Sequence, residues 1–227
     1  TYFMAGGMGS GKTSTAKYVI DQIEKRFKDS DAFLQKFTFN FNPDGNETTE
    51  VVLRRFNADF FDKLITNLSE YLFHRPARIN EFVTRILEDT DKYSPYSKII
   101  TACRNDSWNR LTDNQKREEI MNHLYQKADL DTPKAIRAIM LFLDFIYNRT
   151  KGKDLIVMLI DNIDTIGIEA QIQVCLEIAK YNEEKSIKCL IPVRRATLKR
   201  YENYEKKIGK QAHHYNLIIF RRHDPVF

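Results

Sequence analysis

Near the start of the chain, Gly6-Gly7-Met8-Gly9-Ser10-Gly11-Lys12-Thr13 fits G-x-x-x-x-G-K-[ST] at every position. The chemistry open to such a run is the holding of phosphate. Glycines let the backbone turn until successive N–H groups face one anion, and a helix starting at the lysine aims its positive end at the same point. Lys12 brings a mobile charge to β- and γ-phosphates, and the Thr13 hydroxyl is a ligand for Mg²⁺. Gly7, Met8, Gly9, Ser10, Gly11, Lys12, Thr13 and Ser14 are therefore expected to contact a nucleotide.

A phosphate loop of this kind needs an acid at the end of a neighbouring strand to hold Mg²⁺ through water. Leu155-Ile156-Val157-Met158-Leu159-Ile160 is a continuous apolar run, the mark of a strand covered on both faces, and Asp161 ends it. In a parallel sheet that is the carboxyl edge, where ligands bind. Asn162-Ile163-Asp164 follows. ATPases of the additional-strand type usually place a Glu directly after the metal Asp to polarise the attacking water. Asn162 takes no proton, so Asp164 is the nearby carboxylate left to act as base.

These residues need a scaffold, and the patterning supplies one. Tyr2–Ala5 reads as a short strand, and Ala16, Val19, Ile20, Ile23 and Phe27 give helical spacing over 13–27. Phe37, Phe39 and Phe41 alternate as in a strand. Val52, Phe56, Phe60, Leu64, Leu68 and Leu72 recur every four residues, predicting a helix over 48–74 that Pro76 stops. Residues 77–131 are polar, with short helices expected at 79–88 and 112–127. Thr132 and Pro133 predict the start of a further helix to Tyr147, apolar nearly all round from Ala138 to Ile146 and so buried, with Gly152 breaking it. A helix over 168–181, a strand over 188–193, a basic helix near 196–208 and a strand over 216–220 complete an alternating α/β chain with a parallel sheet.

The loop GGMGSGKTS, the acid run LIVMLIDNID and the later run IKCLIPVRR resemble the nucleotide-binding domain of STAND ATPases (signal-transduction ATPases with numerous domains) and the origin-recognition branch of AAA+ proteins. The resemblance implies a P-loop NTPase fold, a parallel β-sheet flanked by helices, over residues 1–227, with 77–131 as a helical insertion. It implies ATP and Mg²⁺ as ligands, slow hydrolysis, and a switch that self-assembles within a larger protein, in bacteria often one that defends against phage. It also implies that Arg194, at the end of the later strand, is a sensor reaching the γ-phosphate, although Pro192-Val193 replaces the usual Thr-Ser before it. Family members continue into a helical lid and a winged-helix or other module, and this sequence stops before either.

Other readings compete. Asp164-Thr165-Ile166-Gly167 fits the D-x-x-G of GTPases, but no guanine-reading N-K-x-D occurs. A small-molecule or nucleoside kinase would use Arg194, Arg195 and Arg200 as lid arginines, yet a buried strand with a paired Asp is the wrong pattern for it. With Asn162 in place of Glu, the domain is equally readable as an ATP-binding module without significant hydrolysis.

Composition narrows the class further. The 227 residues are 42% hydrophobic with 15 Phe and 11 Tyr, which excludes disorder and gives a core that needs no disulfide or metal. The longest apolar run is about six residues, far short of the roughly 18 a membrane helix needs. Cys103, Cys175 and Cys189 are odd in number and scattered, the usage of a reduced, cytoplasmic compartment. The formal charge is +5, yet eleven Lys/Arg against three Asp/Glu after Glu184 leave −3 for residues 1–184. The basic tract Arg194–Lys210, with Tyr201 and Tyr204 interleaved, is a candidate contact for nucleic acid. Trp108 and the aromatics of 56–73 are expected in the core, and His213-His214 at the surface. Thr1-Tyr2-Phe3 reads as a strand already under way, as in a piece of a larger protein.

Overall fold

The computed structural model describes residues 2–6, 11–27, 35–40, 47–149, 156–181, 187–207 and 216–219. In chain order the elements are β1 (Tyr2–Gly6), α1 (Lys12–Phe27), β2 (Gln35–Asn40), α2 (Thr49–His74), α3 (Ala77–Glu88), α4 (Ser97–Cys103), α5 (Asp106–Asn109), α6 (Asp113–Arg149), β3 (Ile156–Asp161), α7 (Ile168–Tyr181), β4 (Ile187–Arg194), α8 (Arg195–Lys207) and β5 (Asn216–Ile219). Two short 3₁₀ turns, Ser94–Tyr96 and Ile163–Thr165, join them. The chain divides into two units, residues 1–56 with 152–227, and residues 57–151.

The first unit is an α/β unit. Its five strands are all parallel, in the order β2-β3-β4-β1-β5. Register matters more than order for the site. Gly6 lies opposite Arg194, and Asn40 opposite Asp161, so the residues that end β1, β3 and β4 share the carboxyl edge of the sheet. The apolar spacing of α1 has its expected use: Ala16 and Ile20 pack with Met4, Val157, Leu159 and Leu190, and Val19 and Ile23 flank them. On the opposite side of β1, Phe3 meets the edge of the Tyr201 ring at 5.3 Å, which seats α8. All four residues Val157–Ile160 are buried, as a strand covered on both faces requires.

Pro192 sits inside β4, an interior strand, where a missing N–H is normally excluded. The register explains it. The β3–β4 ladder runs from Ile156↔Ile187 to Leu159↔Leu190, whereas β1 accompanies β4 to Arg194. Pro192 therefore stands beyond the last paired residue on the β3 side while lying opposite Met4 of β1.

The second unit is helical and larger than the 77–131 insertion expected, since it takes in residues 57–151. Phe82 lies at its centre, with Phe142, Tyr96, Phe145 and Tyr93 rings at 4.1, 5.0, 5.4 and 5.8 Å. Trp108 is buried, as are all of Ala138–Ile146. The expected helix start at Thr132 needs correction. Helix α6 continues through it with one non-helical residue, Asp131 (φ −161°, ψ 90°). Asp131 is the cap: its Oδ1 accepts from Lys134 N at 3.1 Å, with Pro133 in the first turn, where a missing N–H is harmless. The Thr132 hydroxyl instead donates back to Ala128 O at 3.2 Å. The segment 94–109 holds a 3₁₀ turn and two short helices. Phe41, Gly152 and His213-His214 lie outside the described residues, as does the Tyr204 side chain. Among the described residues no helix is long and apolar enough to cross a membrane.

Candidate functional site

Of the predicted phosphate loop, Gly7, Met8, Gly9 and Ser10 lie outside the described residues, and its last glycine opens the described part. Gly11 has φ +77°, a conformation that a Cβ strains, and its carbonyl accepts Thr15 N at 2.8 Å to start α1. The first turn of α1 contains no acidic residue of its own. Lys12 opens that turn and is 6% exposed, unusual for a lysine. Ser14 is exposed.

The decisive contact joins residues 148 apart. Thr13 Oγ1 donates to Asp161 Oδ1 at 2.8 Å. Asp161 is 2% exposed, and the same oxygen accepts Asn162 N at 3.0 Å. A hydroxyl and a carboxylate held together at a sheet edge are hard oxygen donors of the kind Mg²⁺ takes, with waters and phosphate oxygens completing its shell. The donor set therefore fits that cation. Among the described residues no cluster of three or more His, Cys, Asp or Glu is available to cage a metal by protein groups alone.

Asn162 has a backbone reason to be there. Its φ of 64° and ψ of 9° lie in the left-handed region, which Asn tolerates better than Glu does. Its carbonyl accepts both Thr165 N at 3.2 Å and Thr165 Oγ1 at 2.7 Å, closing the turn. Sequence reasoning saw only a missing base at this position. The identity of the residue was the available signal, since Asn is enriched at positive φ.

That turn lifts Asp164 to the sheet edge, half-buried, where Arg194 Nε approaches its Oδ2 at 3.8 Å. Arg194 is the last residue of β4 and is exposed, and Arg195 already belongs to α8. Two buried polar side chains behind this pair were not singled out in the sequence: Gln171 on α7 and Thr197 on α8. Comparison with protein-family models, with curated proteins and with solved structures gives no match.

Proposed function

We propose that this chain is a nucleotide-binding domain of the STAND or origin-recognition AAA+ kind. In this reading it binds ATP with Mg²⁺, hydrolyses it slowly, and uses it as a switch of conformation or self-assembly in a larger signalling or defence protein. The observation that carries the proposal is the 2.8 Å bond from Thr13 Oγ1 to Asp161 Oδ1 at the carboxyl edge of a parallel sheet. The strand order adds support, because β4 lies between β1 and β3, the extra strand that names the additional-strand type. This part of the support is fold-level analogy.

Each residue then has a role. Backbone N–H groups at the start of α1, with Lys12, bind the phosphates. Thr13 and Asp161 hold the cation, whose charge, when bound, offsets that of the phosphates. Asp164 takes the proton of the attacking water, and Arg194 reads the γ-phosphate. Because Asn162 cannot accept a proton and Asp164 lies beside Arg194, hydrolysis is expected to be slow. The left-handed Asn162 favours a second reading, ATP binding without significant turnover. The same proposal gives the exposed Arg195 and Lys199 of α8 to a polyanion such as nucleic acid, and places the chain in the cytoplasm. All three thiols are free and buried, with burial pushing Cys103 up to about 11 and Cys175 and Cys189 up to about 12.

Titration calorimetry with and without Mg²⁺ tests it. The parent should bind ATP more tightly with Mg²⁺, Asp161→Asn should lose that dependence, and Asp164→Asn should bind normally while losing turnover. ATP affinity indifferent to Mg²⁺ in the parent would falsify the site.

A further inference from the structure

Three polar cross-links join the segment after β3 to the β4–α8 junction, and they differ in kind. Arg194 meets Asp164 at 3.8 Å with both side chains partly exposed, and Arg200 meets Glu169 on the surface. Between them lies a buried chain: Gln171 Nε2 donates to Ile166 O at 2.7 Å, and Thr197 Oγ1 donates to Gln171 Oε1 at 2.5 Å. Gln171 is 3% exposed and Thr197 1%. Residues 197 and 200 stand three apart on α8, and Arg194 immediately precedes that helix at the end of β4.

The outer pairs are solvent-screened and cheap to open. The inner link is not, since breaking it strands buried polar groups away from water. Ile166 also ends the turn that carries Asp164, and Thr197 lies in the first turn of α8, three residues after Arg194. The buried chain thus ties together the two segments that bear the exposed pair. Tyr201, a turn further on, anchors the same helix to β1 through Phe3.

We infer that Gln171 and Thr197 are positioning residues that hold the start of α8 against the Asp161–Ile166 turn, so that Arg194 exchanges Asp164 for a γ-phosphate without the strand end shifting. This rests on the ATP reading above. Thr197→Val keeps the shape and removes the donor, Thr197→Ser restores the hydroxyl, and Gln171→Met removes the link from the other side.

The test measures ATP and ADP affinities by calorimetry with Mg²⁺, and amide exchange over residues 161–166 in the free protein. Thr197→Val should lose about fivefold in the ATP-to-ADP affinity ratio, with ADP affinity within about twofold of the parent, and its turn amides should exchange about fivefold faster. Thr197→Ser should restore both. Adding Arg194→Ala to Thr197→Val should cost less than the two losses multiplied, because one acts through the other. Should Thr197→Val fail to fold, Gln171→Met carries the same measurements.

An unchanged affinity ratio in Thr197→Val, no rescue by Ser, or losses that multiply independently would overturn the positioning role. A parent that does not distinguish ATP from ADP would overturn the functional reading and this role with it. A discriminating parent whose variants are unmoved overturns the positioning role alone.

Discussion

The two units spend their buried polar groups differently. In the helical unit, Tyr96 Oη donates to Ala138 O at 2.8 Å, and Asp144 accepts from Lys92 Nζ at 3.2 Å and Asn148 Nδ2 at 3.0 Å. Each of these ties α6 to the segment before it or to itself. In the α/β unit, Asp161 sits at a strand end with a hydroxyl beside it, next to a helix N-terminus without an acid. A packed helical core satisfies its polar groups inwardly, whereas the carboxyl edge of a parallel sheet turns them toward whatever binds there. The contrast predicts that damage to the helical unit appears as lost stability and damage to the α/β unit as lost ligand.

The largest effect belongs to the helical unit. Phe82 is fully buried among four rings, so Phe82→Ala should destabilise by about 3–5 kcal/mol in urea or thermal unfolding. ATP affinity should fall no more than the folded fraction does, and a larger fall would break the contrast. Next comes Lys12→Ala, expected to weaken ATP binding or slow turnover by the equivalent of about 3 kcal/mol. Its melting temperature without nucleotide should stay close to that of the parent. Unchanged affinity and turnover would remove Lys12 from the site.

How much of this was legible in the sequence depends on the kind of signal. Periodic apolar residues gave α1, α2 and α7 to within one residue, because a buried face must repeat at the helical period. The motif residues Thr13 and Asp161 were placeable because loop and strand-end chemistry is local. Three things were not. The extent of the helical unit depends on which segments pack together. The cap at Asp131 turns on a competition between two adjacent capping residues, Asp131 and Thr132. The Gln171–Thr197 link joins residues 26 apart through a tertiary contact that no spacing announces.

A smaller effect separates backbone strain from crowding inside the phosphate loop. A Cβ at Gly11 would meet nothing within 4 Å, so Gly11→Ala pays only for φ +77°, about 1–2 kcal/mol. Gly167, also in open space and without a positive φ, is the matched control and should cost less. Equal losses at the two glycines, read from urea midpoints, would mean that the loop does not need its left-handed turn.

The smallest expected effect returns to the helical unit, where it shows what a complete polar contact costs when it titrates. His123 is buried, its Nε2 lies 3.2 Å from Pro95 O, and Lys127 Nζ donates to the same carbonyl at 2.7 Å. Burial, followed by the nearby Lys127 and Lys98 charges, pushes the imidazole below its ordinary pKa, while the Pro95 carbonyl opposes the shift. The folded protein therefore resists the proton more than the unfolded chain does. Between the depressed folded value and the unfolded value of about 6.5, the unfolded state holds more protons, so stability rises with pH. The contribution is complete above about pH 6.5 and is lost as pH falls through the folded value. The protein should be more stable at pH 7.5 than at pH 5.5, and His123→Gln should flatten that part of the profile. A parent more stable at pH 5.5, with the slope abolished in His123→Gln, would mean that the imidazole is held charged and that this contact is an ion site rather than a closed one.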